Sequence, residues 1–307
     1  MKDMTPVAVA SRSFSRHPVL RDELLAGHGH VTFNDRGEAL HGAALIAFLR
    51  GHVKAITGLE RLDESVFTAV PELRLVSKYG VGVDTIDAEA MARHGVKLAW
   101  TPGVNRRSVA ELTVAFMIAL MHRVPEATRM TQAGVWRQIV GRQLSGRAVG
   151  IIGCGNVGKD VVALLRPFQC RVMAHDIVDD GPFYRQHGVT PTALADLLRE
   201  SDIVTLHVPL DDSTRNMLNA SRLGLLKAGA VLINTARGGL VDESTLKTML
   251  QRGRLAGAAF DVLGAEPPDD LSLLHLPNVM ATPHIGGSTE EAILAMGRAA
   301  IKGLSAI

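Results

Sequence analysis

Residues 148–158 read Ala148-Val149-Gly150-Ile151-Ile152-Gly153-Cys154-Gly155-Asn156-Val157-Gly158. An apolar, strand-like run feeds straight into Gly153-x-Gly155-x-x-Gly158, and a run with helical spacing follows. Each glycine has a mechanical job in such a turn. Gly153 permits the tight reversal, Gly155 lets the backbone approach a pyrophosphate, and Gly158 lets helix and strand pack closely. The helix start offers free N–H groups and a partial positive charge to phosphates. A bare Gly-x-Gly-x-x-Gly is as often a plain glycine-rich turn; here the context decides. A second strand-like run, 170–175, ends at Asp176, eighteen residues past Gly158. That is close to the spacing of roughly 20 at which an acid receives ribose hydroxyls. A carboxylate there accepts from the ribose of NAD and repels the 2′-phosphate of NADP. Ile177 and Val178 bring no arginine, and Asp179 and Asp180 add negative charge. Strand, glycines, helix, strand and acid in this order predict a dinucleotide-binding unit of Rossmann type, with NAD as its cofactor.

The same rhythm extends along the chain in both directions. Short apolar runs lie at 7–10, 53–57, 73–78 and 96–100, and again at 148–152, 171–175, 203–208, 230–234, 258–261 and 279–281. Most are rich in Val, Ile or Ala without clean alternation, as strands buried on both faces are. Helix-like stretches lie between them, among them 108–121, 157–166, 194–200 and 243–252. The alternation predicts doubly wound α/β architecture with parallel sheets. No linker marks a domain boundary; a break is expected near Thr101-Pro102-Gly103, where a strand reading stops and a long helix begins.

Composition narrows the function class. The 307 residues are 47% hydrophobic and 21% charged, with a net charge of +2. That balance suits a globular protein and gives no basic block for nucleic acid. The apolar run 112–121 is short for a bilayer and bounded by Glu111 and Arg123, so it reads as a buried helix. The first residues lack a signal-peptide core. Two cysteines, Cys154 and Cys170, make neither a disulfide framework nor a zinc site, so the expected setting is a reducing cytoplasm and no metal is expected.

Three loops carry candidate chemistry. Arg237 follows run 230–234 in Asn234-Thr235-Ala236-Arg237-Gly238-Gly239. Glu266 follows 258–261 in Asp261-Val262-Leu263-Gly264-Ala265-Glu266-Pro267, and His284 follows 279–281 in Thr282-Pro283-His284-Ile285-Gly286-Gly287. Each sits past the C-terminal end of a predicted parallel strand, the edge where ligands bind in open α/β sheets. A histidine can take or return the proton of an alcohol, a carboxylate can raise its pKa and fix its tautomer, and an arginine can grip a carboxylate and polarise a carbonyl. Any one of them alone would ordinarily be a solvated loop residue. Among the 12 histidines, His94, His175 and His207 are as conspicuous by type and read as structural, so spacing does not select the trio.

Resemblance does. These motifs, with Tyr79-Gly80-Val81-Gly82-Val83-Asp84, Arg107-Ser108-Val109-Ala110-Glu111-Leu112 and Leu206-His207-Val208-Pro209, resemble the D-isomer-specific 2-hydroxyacid dehydrogenase family over nearly the whole chain. The resemblance implies that Arg237 binds the substrate carboxylate and carbonyl, His284 does acid/base work and Glu266 holds His284. It implies a substrate-carboxylate site in the turn Tyr79, Gly80, Val81 and Gly82, with Lys78 as an added anchor. It points to Gly153, Gly155, Asn156, Val157, Gly158, Asp176, Pro209, Thr235, Ala236, Arg237 and Asp261 as NAD contacts. A flavodoxin-like α/β substrate domain would span residues 1–101 and 286–307, and the Rossmann-type domain residues 102–285, with the substrate in a closing cleft between them. A homodimer would form through 108–121 and the segment around Trp136.

Within the family, 107–112 and 284–289 resemble the 3-phosphoglycerate dehydrogenase branch. Thr57 departs from it, standing where that branch places a phosphate-binding arginine; Arg61, Lys78 or Arg106 would have to serve instead. The branch's serine-sensing domain is also not expected in a chain ending at Ile307. Hydroxypyruvate, glyoxylate, lactate-like and sulfonated acids are the alternative substrates. An NAD-responsive corepressor is the alternative of another class, and an NADP-linked reductase is the alternative in cofactor.

Overall fold

The strand runs hold their positions because both their faces are buried. In the computed structural model, which describes residues 1–306, every residue of Ala148–Ile152 and Val231–Asn234 is buried. Alternate side chains enter opposite layers. Val149, Ile151, Val231 and Ile233 share a core with Met117 and Leu120 of the helix Arg106–Met121. Ile152 and Leu232 share another with Leu246 and Leu250 of the helix Glu243–Gln251. Burying one such side chain contributes roughly 1.5–3 kcal/mol, so a one-residue slip that exchanged the layers would be strongly disfavoured.

The chain forms two compact units, one of Met1–Asn105 with the chain from Ser288 onward, the other of Arg106–Gly287. The first holds strands β1 (Val7–Val9), β2 (Val31–Phe33), β3 (Lys54–Thr57), β4 (Leu75–Lys78) and β5 (Lys97–Ala99) in the order β2-β1-β3-β4-β5. All pairings are parallel, and this is the flavodoxin-like order. The helix Glu290–Gly303 belongs to this unit although it comes last. Its Met296 and Ala300, with Leu304 beyond it, pack with Val7, Val9, Leu20 and Leu24. The buried Lys54 ammonium donates to the Leu304 carbonyl at 2.8 Å, and the Ser77 hydroxyl to Ala300 at 2.7 Å.

The second unit holds β6 (Ala148–Ile152), β7 (Arg171–His175), β8 (Thr190–Pro191), β9 (Ile203–Leu206), β10 (Val231–Asn234), β11 (Gly257–Phe260) and β12 (Val279–Ala281). Their order is β12-β11-β10-β9-β6-β7-β8, all parallel. Counted from β6, that is the Rossmann order with one strand added. The direction of winding reverses between β6 and β9, which places a crevice at their C-terminal ends. The loops after β6, β7, β9, β10, β11 and β12 all leave the sheet at that edge.

Two strands, β2 and β8, have no counterpart in the sequence reading. Both are sheet edges; β2 is three residues and half-buried, β8 two residues and exposed. Neither is long or buried enough to leave an apolar run. Among the described residues no single helix is long and apolar enough to cross a membrane. The run 112–121 lies in the helix Arg106–Met121 with Thr113, Val114, Phe116, Met117, Leu120 and Met121 buried.

Candidate active site

The glycine turn follows directly from β6. Gly153 has φ +91°, a conformation that side chains rarely adopt, and its N–H donates to the His175 carbonyl at 2.8 Å. A Cβ on it would lie 2.7 Å from the His207 carbonyl carbon. Gly158 stands against the carbonyl oxygen of Gly153, with no room for a side chain. Gly155 caps the helix Asn156–Leu165, and the space where its Cβ would point is open. Asn156 is exposed and Val157 half-buried in the first helical turn, and Pro209 is exposed beyond β9.

Asp176 ends β7. Its Oδ2 accepts from the Cys154 N–H at 2.6 Å and its Oδ1 from the Val178 N–H at 2.9 Å. An ionised carboxylate has about four acceptor positions, so both oxygens retain capacity for hydroxyl donors. Farther along the loop, Asp180 pairs with Lys159 at 2.5 Å. Burial, reinforced by the charge of Asp176, pushes the Cys154 thiol up to about 11, so it stays neutral inside the turn. An open helix N-terminus with a carboxylate at the end of the next strand fits a dinucleotide: N–H groups for pyrophosphate, an acid for ribose.

The loops after β10, β11 and β12 carry the chemistry. Asn234, buried at the end of β10, uses its whole amide on the Arg237 turn. Its Oδ1 accepts from Ala236 N–H at 3.1 Å and its Nδ2 donates to the Arg237 carbonyl at 2.8 Å. Thr235 turns its hydroxyl inward to Thr113, 2.8 Å away. The Arg237 guanidinium donates to the Ala236 carbonyl at 2.7 Å. Asp261, 2% exposed, accepts three hydrogen bonds from the next loop. Its Oδ1 accepts from the Thr282 hydroxyl at 2.6 Å and Ile285 N–H at 2.7 Å, and its Oδ2 from Gly286 N–H at 2.7 Å. The Ser108 hydroxyl donates to the Gly286 carbonyl on the other side.

Those bonds hold His284 in a left-handed conformation, φ +55°, unusual for a residue with a side chain. Its Nδ1 lies 2.8 Å from Glu266 Oε2. The carboxylate accepts, so Nδ1 carries the proton and Nε2 is the nitrogen left for substrate. Glu266 is oriented in turn, its Oε1 accepting from Leu263 N–H at 3.1 Å. Both side chains remain solvent-accessible, at 46% and 41%. The structure thus joins Glu266 to His284 directly and sets Arg237 on the adjacent loop. Sequence reasoning had no signal for Asn234, Thr113 or Ser108 as supports, and it placed Asp261 among cofactor contacts without its role as a clamp.

The three other conspicuous histidines are engaged away from this pair. His94 pairs with Glu64 at 2.7 Å, and His175 Nδ1 lies 3.3 Å from the Thr192 carbonyl. His207 Nε2 lies 3.0 Å from Thr205 Oγ1; burial pulls this ring down to about 3, so it is neutral. In the first unit, Lys78 is buried and donates to the Gly58 carbonyl, with Thr85 Oγ1 3.5 Å away. Tyr79 packs edge-on against Phe14. Gly80 has φ +123°, and the carbonyl of Val81, next to Gly82, accepts from the Trp100 indole at 3.0 Å.

Fold and site together define a doubly wound dinucleotide-binding protein with an Arg/Glu/His loop set. Residues 114–286 match the family described as D-isomer specific 2-hydroxyacid dehydrogenase, NAD binding domain, and the chain belongs to that family. It is 37% identical to D-3-phosphoglycerate dehydrogenase of Rattus norvegicus over 76% of this chain and 44% of that one. The chain therefore spans less than half the length of that relative. It is 37% identical to glyoxylate reductase of Korarchaeum cryptofilum over 75% of this chain and 71% of the relative. D-lactate dehydrogenase from Aquifex aeolicus, solved with NAD and lactic acid, superposes with a TM-score of 0.87 at 27% identity, covering 98% of this chain and 95% of that one.

Proposed function

We propose that this chain is an NAD-dependent oxidoreductase that interconverts a small D-2-hydroxy acid and its 2-oxo acid. The observation that carries the reading is the Glu266–His284 pair, 2.8 Å apart on the same sheet edge as the open glycine turn. NAD, when bound, supplies the acceptor for the hydride of the alcohol carbon, and its reduced form the donor. His284 Nε2 takes the hydroxyl proton in oxidation and returns it in reduction. Glu266 fixes the ring and stabilises the imidazolium that forms. Arg237 neutralises the substrate carboxylate and polarises the carbonyl. Gly153, Gly155, Asn156, Val157 and Gly158 would hold the pyrophosphate, and Asp176 the ribose. Pro209 and Ala236 would line the remaining cofactor path, with Thr235 and Asp261 fixing the backbone there. The first unit is the substrate domain in this reading, with the backbone of the turn Tyr79, Gly80, Val81 and Gly82 as its own anion-binding candidate and Lys78, buried on the Gly58 carbonyl, behind it.

The branch resemblance and the phosphoglycerate dehydrogenase relatives support a 3-phosphoglycerate-type substrate. One observation favours a second reading, an unphosphorylated acid: Thr57 is buried, its hydroxyl without a partner, where the branch places an arginine. NADH oxidation against 3-phosphohydroxypyruvate, hydroxypyruvate, glyoxylate, pyruvate and 3-sulfopyruvate separates the two. Preference for the phosphorylated acid supports the first and preference for glyoxylate or hydroxypyruvate the second. NADH binding with silence across the panel would favour a cofactor-sensing protein over an enzyme.

The cytoplasm fits two free thiols. A homodimer is supported by an apolar surface. Trp136 and Val140 are almost fully exposed, and no residue of the helix Val124–Gln132 is buried. The helix Arg106–Met121, expected to share that contact, spends most of its apolar face inside its own unit. Trp136→Glu should yield a monomer by light scattering; an unchanged mass would remove this surface from the contact.

A further inference from the structure

Glu266 stands on a loop whose residues 264–267 are all exposed. Such a loop has little packing to hold it in place. Two features outside it grip its backbone. The first is Glu243, which opens the helix Glu243–Gln251. The cap of that helix is Asp242, whose Oδ1 accepts from Thr245 N–H at 3.0 Å. The Glu243 carboxylate instead reaches the neighbouring loop, where Oε1 accepts from Gly264 N–H at 2.9 Å. The second is Gly238, directly after Arg237. It lies so close to the Leu263–Gly264 peptide that a Cβ would run into the Leu263 carbonyl carbon and oxygen. The gripped peptide starts at the carbonyl of Leu263, the residue whose own N–H, one peptide earlier, donates to Glu266 Oε1, and Glu266 Oε2 bonds His284.

We propose that Glu243 is a positioning residue for the Glu266–His284 pair, and that Gly238 couples the place of Arg237 to that of Glu266. The proposal rests on the dehydrogenase reading above. Glu243 touches neither substrate nor cofactor in it. It acts by fixing the peptide on the C-terminal side of Leu263, the residue whose N–H orients Glu266, and a displacement of about 1 Å at a reacting group can cost up to roughly a hundredfold in rate.

The test uses the whole chain and the 2-oxo acid that the wild type turns over fastest. Glu243→Ala should lower kcat about tenfold, the loss of one charge-assisted hydrogen bond, with NADH affinity by fluorescence titration within about twofold of wild type. Glu243→Gln keeps an acceptor oxygen for Gly264 and should recover most of that loss. The deciding comparison is the double variant. If Glu243 acts through Glu266, Glu243→Ala should cost nothing further in a Glu266→Ala background, because coupled sites are non-additive. Gly238→Ala should lower kcat and raise KM together, since it displaces both loops. A Glu243→Ala enzyme with wild-type kcat overturns the proposal, as does a full tenfold loss on top of Glu266→Ala. A helix-start role alone would lower the melting temperature without the coupling, and that result also overturns it. A wild type that oxidises NADH with no acid sinks the parent reading, and this one with it.

Discussion

The glycine turn after β6 and the loops after β10, β11 and β12 leave the same sheet edge, yet they are built differently. The turn is shaped by backbone sterics: Gly153 and Gly158 meet each other and the His207 backbone with no side chain between. The loops are shaped by side chains reaching backbone, with Asn234 on the Arg237 turn, Asp261 on residues 282–286 and Glu243 on Gly264. Their histidines differ in the same sense. His207 is half-buried, its Nδ1 shut off from solvent without a partner, whereas His284 stands half-exposed on its carboxylate. A steric cradle presents a fixed surface to a ligand that need not react. A reacting group must stay accessible, so its order has to come from hydrogen bonds.

The largest effects should fall on the loops. His284→Ala should lower kcat by roughly two to four orders of magnitude, the range for a general acid/base, with NADH binding kept. Near-normal turnover would remove His284 from the mechanism. Arg237→Ala should lower kcat/KM by roughly 10²- to 10³-fold, the cost of stripping one partner from a bonded charge pair, with KM raised. An unchanged KM would count against carboxylate binding by Arg237. On the turn the effect is one of preference. Asp176→Ala should narrow the NADH over NADPH ratio by about tenfold, a hydrogen bond to a charged acceptor lost and a repulsion removed. An unaltered ratio would place the discrimination elsewhere.

The same contrast explains what could be read from the sequence. The turn is legible because its requirements are local: glycines at fixed offsets, a buried strand before and a helix after. The parallel sheets are legible because runs such as Val231–Asn234 are buried on both faces and need apolar residues throughout. The edge strands β2 and β8 lack that demand and leave no pattern. Arg237, Glu266 and His284 were selected by resemblance, since nothing in their spacing distinguishes them from solvated loop residues. Asp261 and Glu243 act across more than twenty residues of chain. Such a bond depends on the tertiary register of two loops, which no local window contains.

The smallest effect concerns the half-buried His207 and isolates the turn from the loops. His207 titrates near 3 in the folded chain because burial penalises its charged form, against 6.5 for the unperturbed ring. Its folded pKa is depressed, so its contribution to stability is intact above about pH 6.5 and declines as pH falls toward 3. In that window the unfolded chain takes up a proton that the folded ring refuses. One such proton weighs at most about 1.4 kcal/mol per pH unit. His207→Gln keeps a polar group near Thr205 and removes the titration. Urea midpoints at pH 7, 6, 5 and 4 should therefore fall more steeply for wild type than for His207→Gln, with the gap opening below pH 6.5. Parallel pH profiles would mean that water reaches the His207 Nδ1, and the steric account of that region would then have to yield to one of hydrogen bonds like that of the loops.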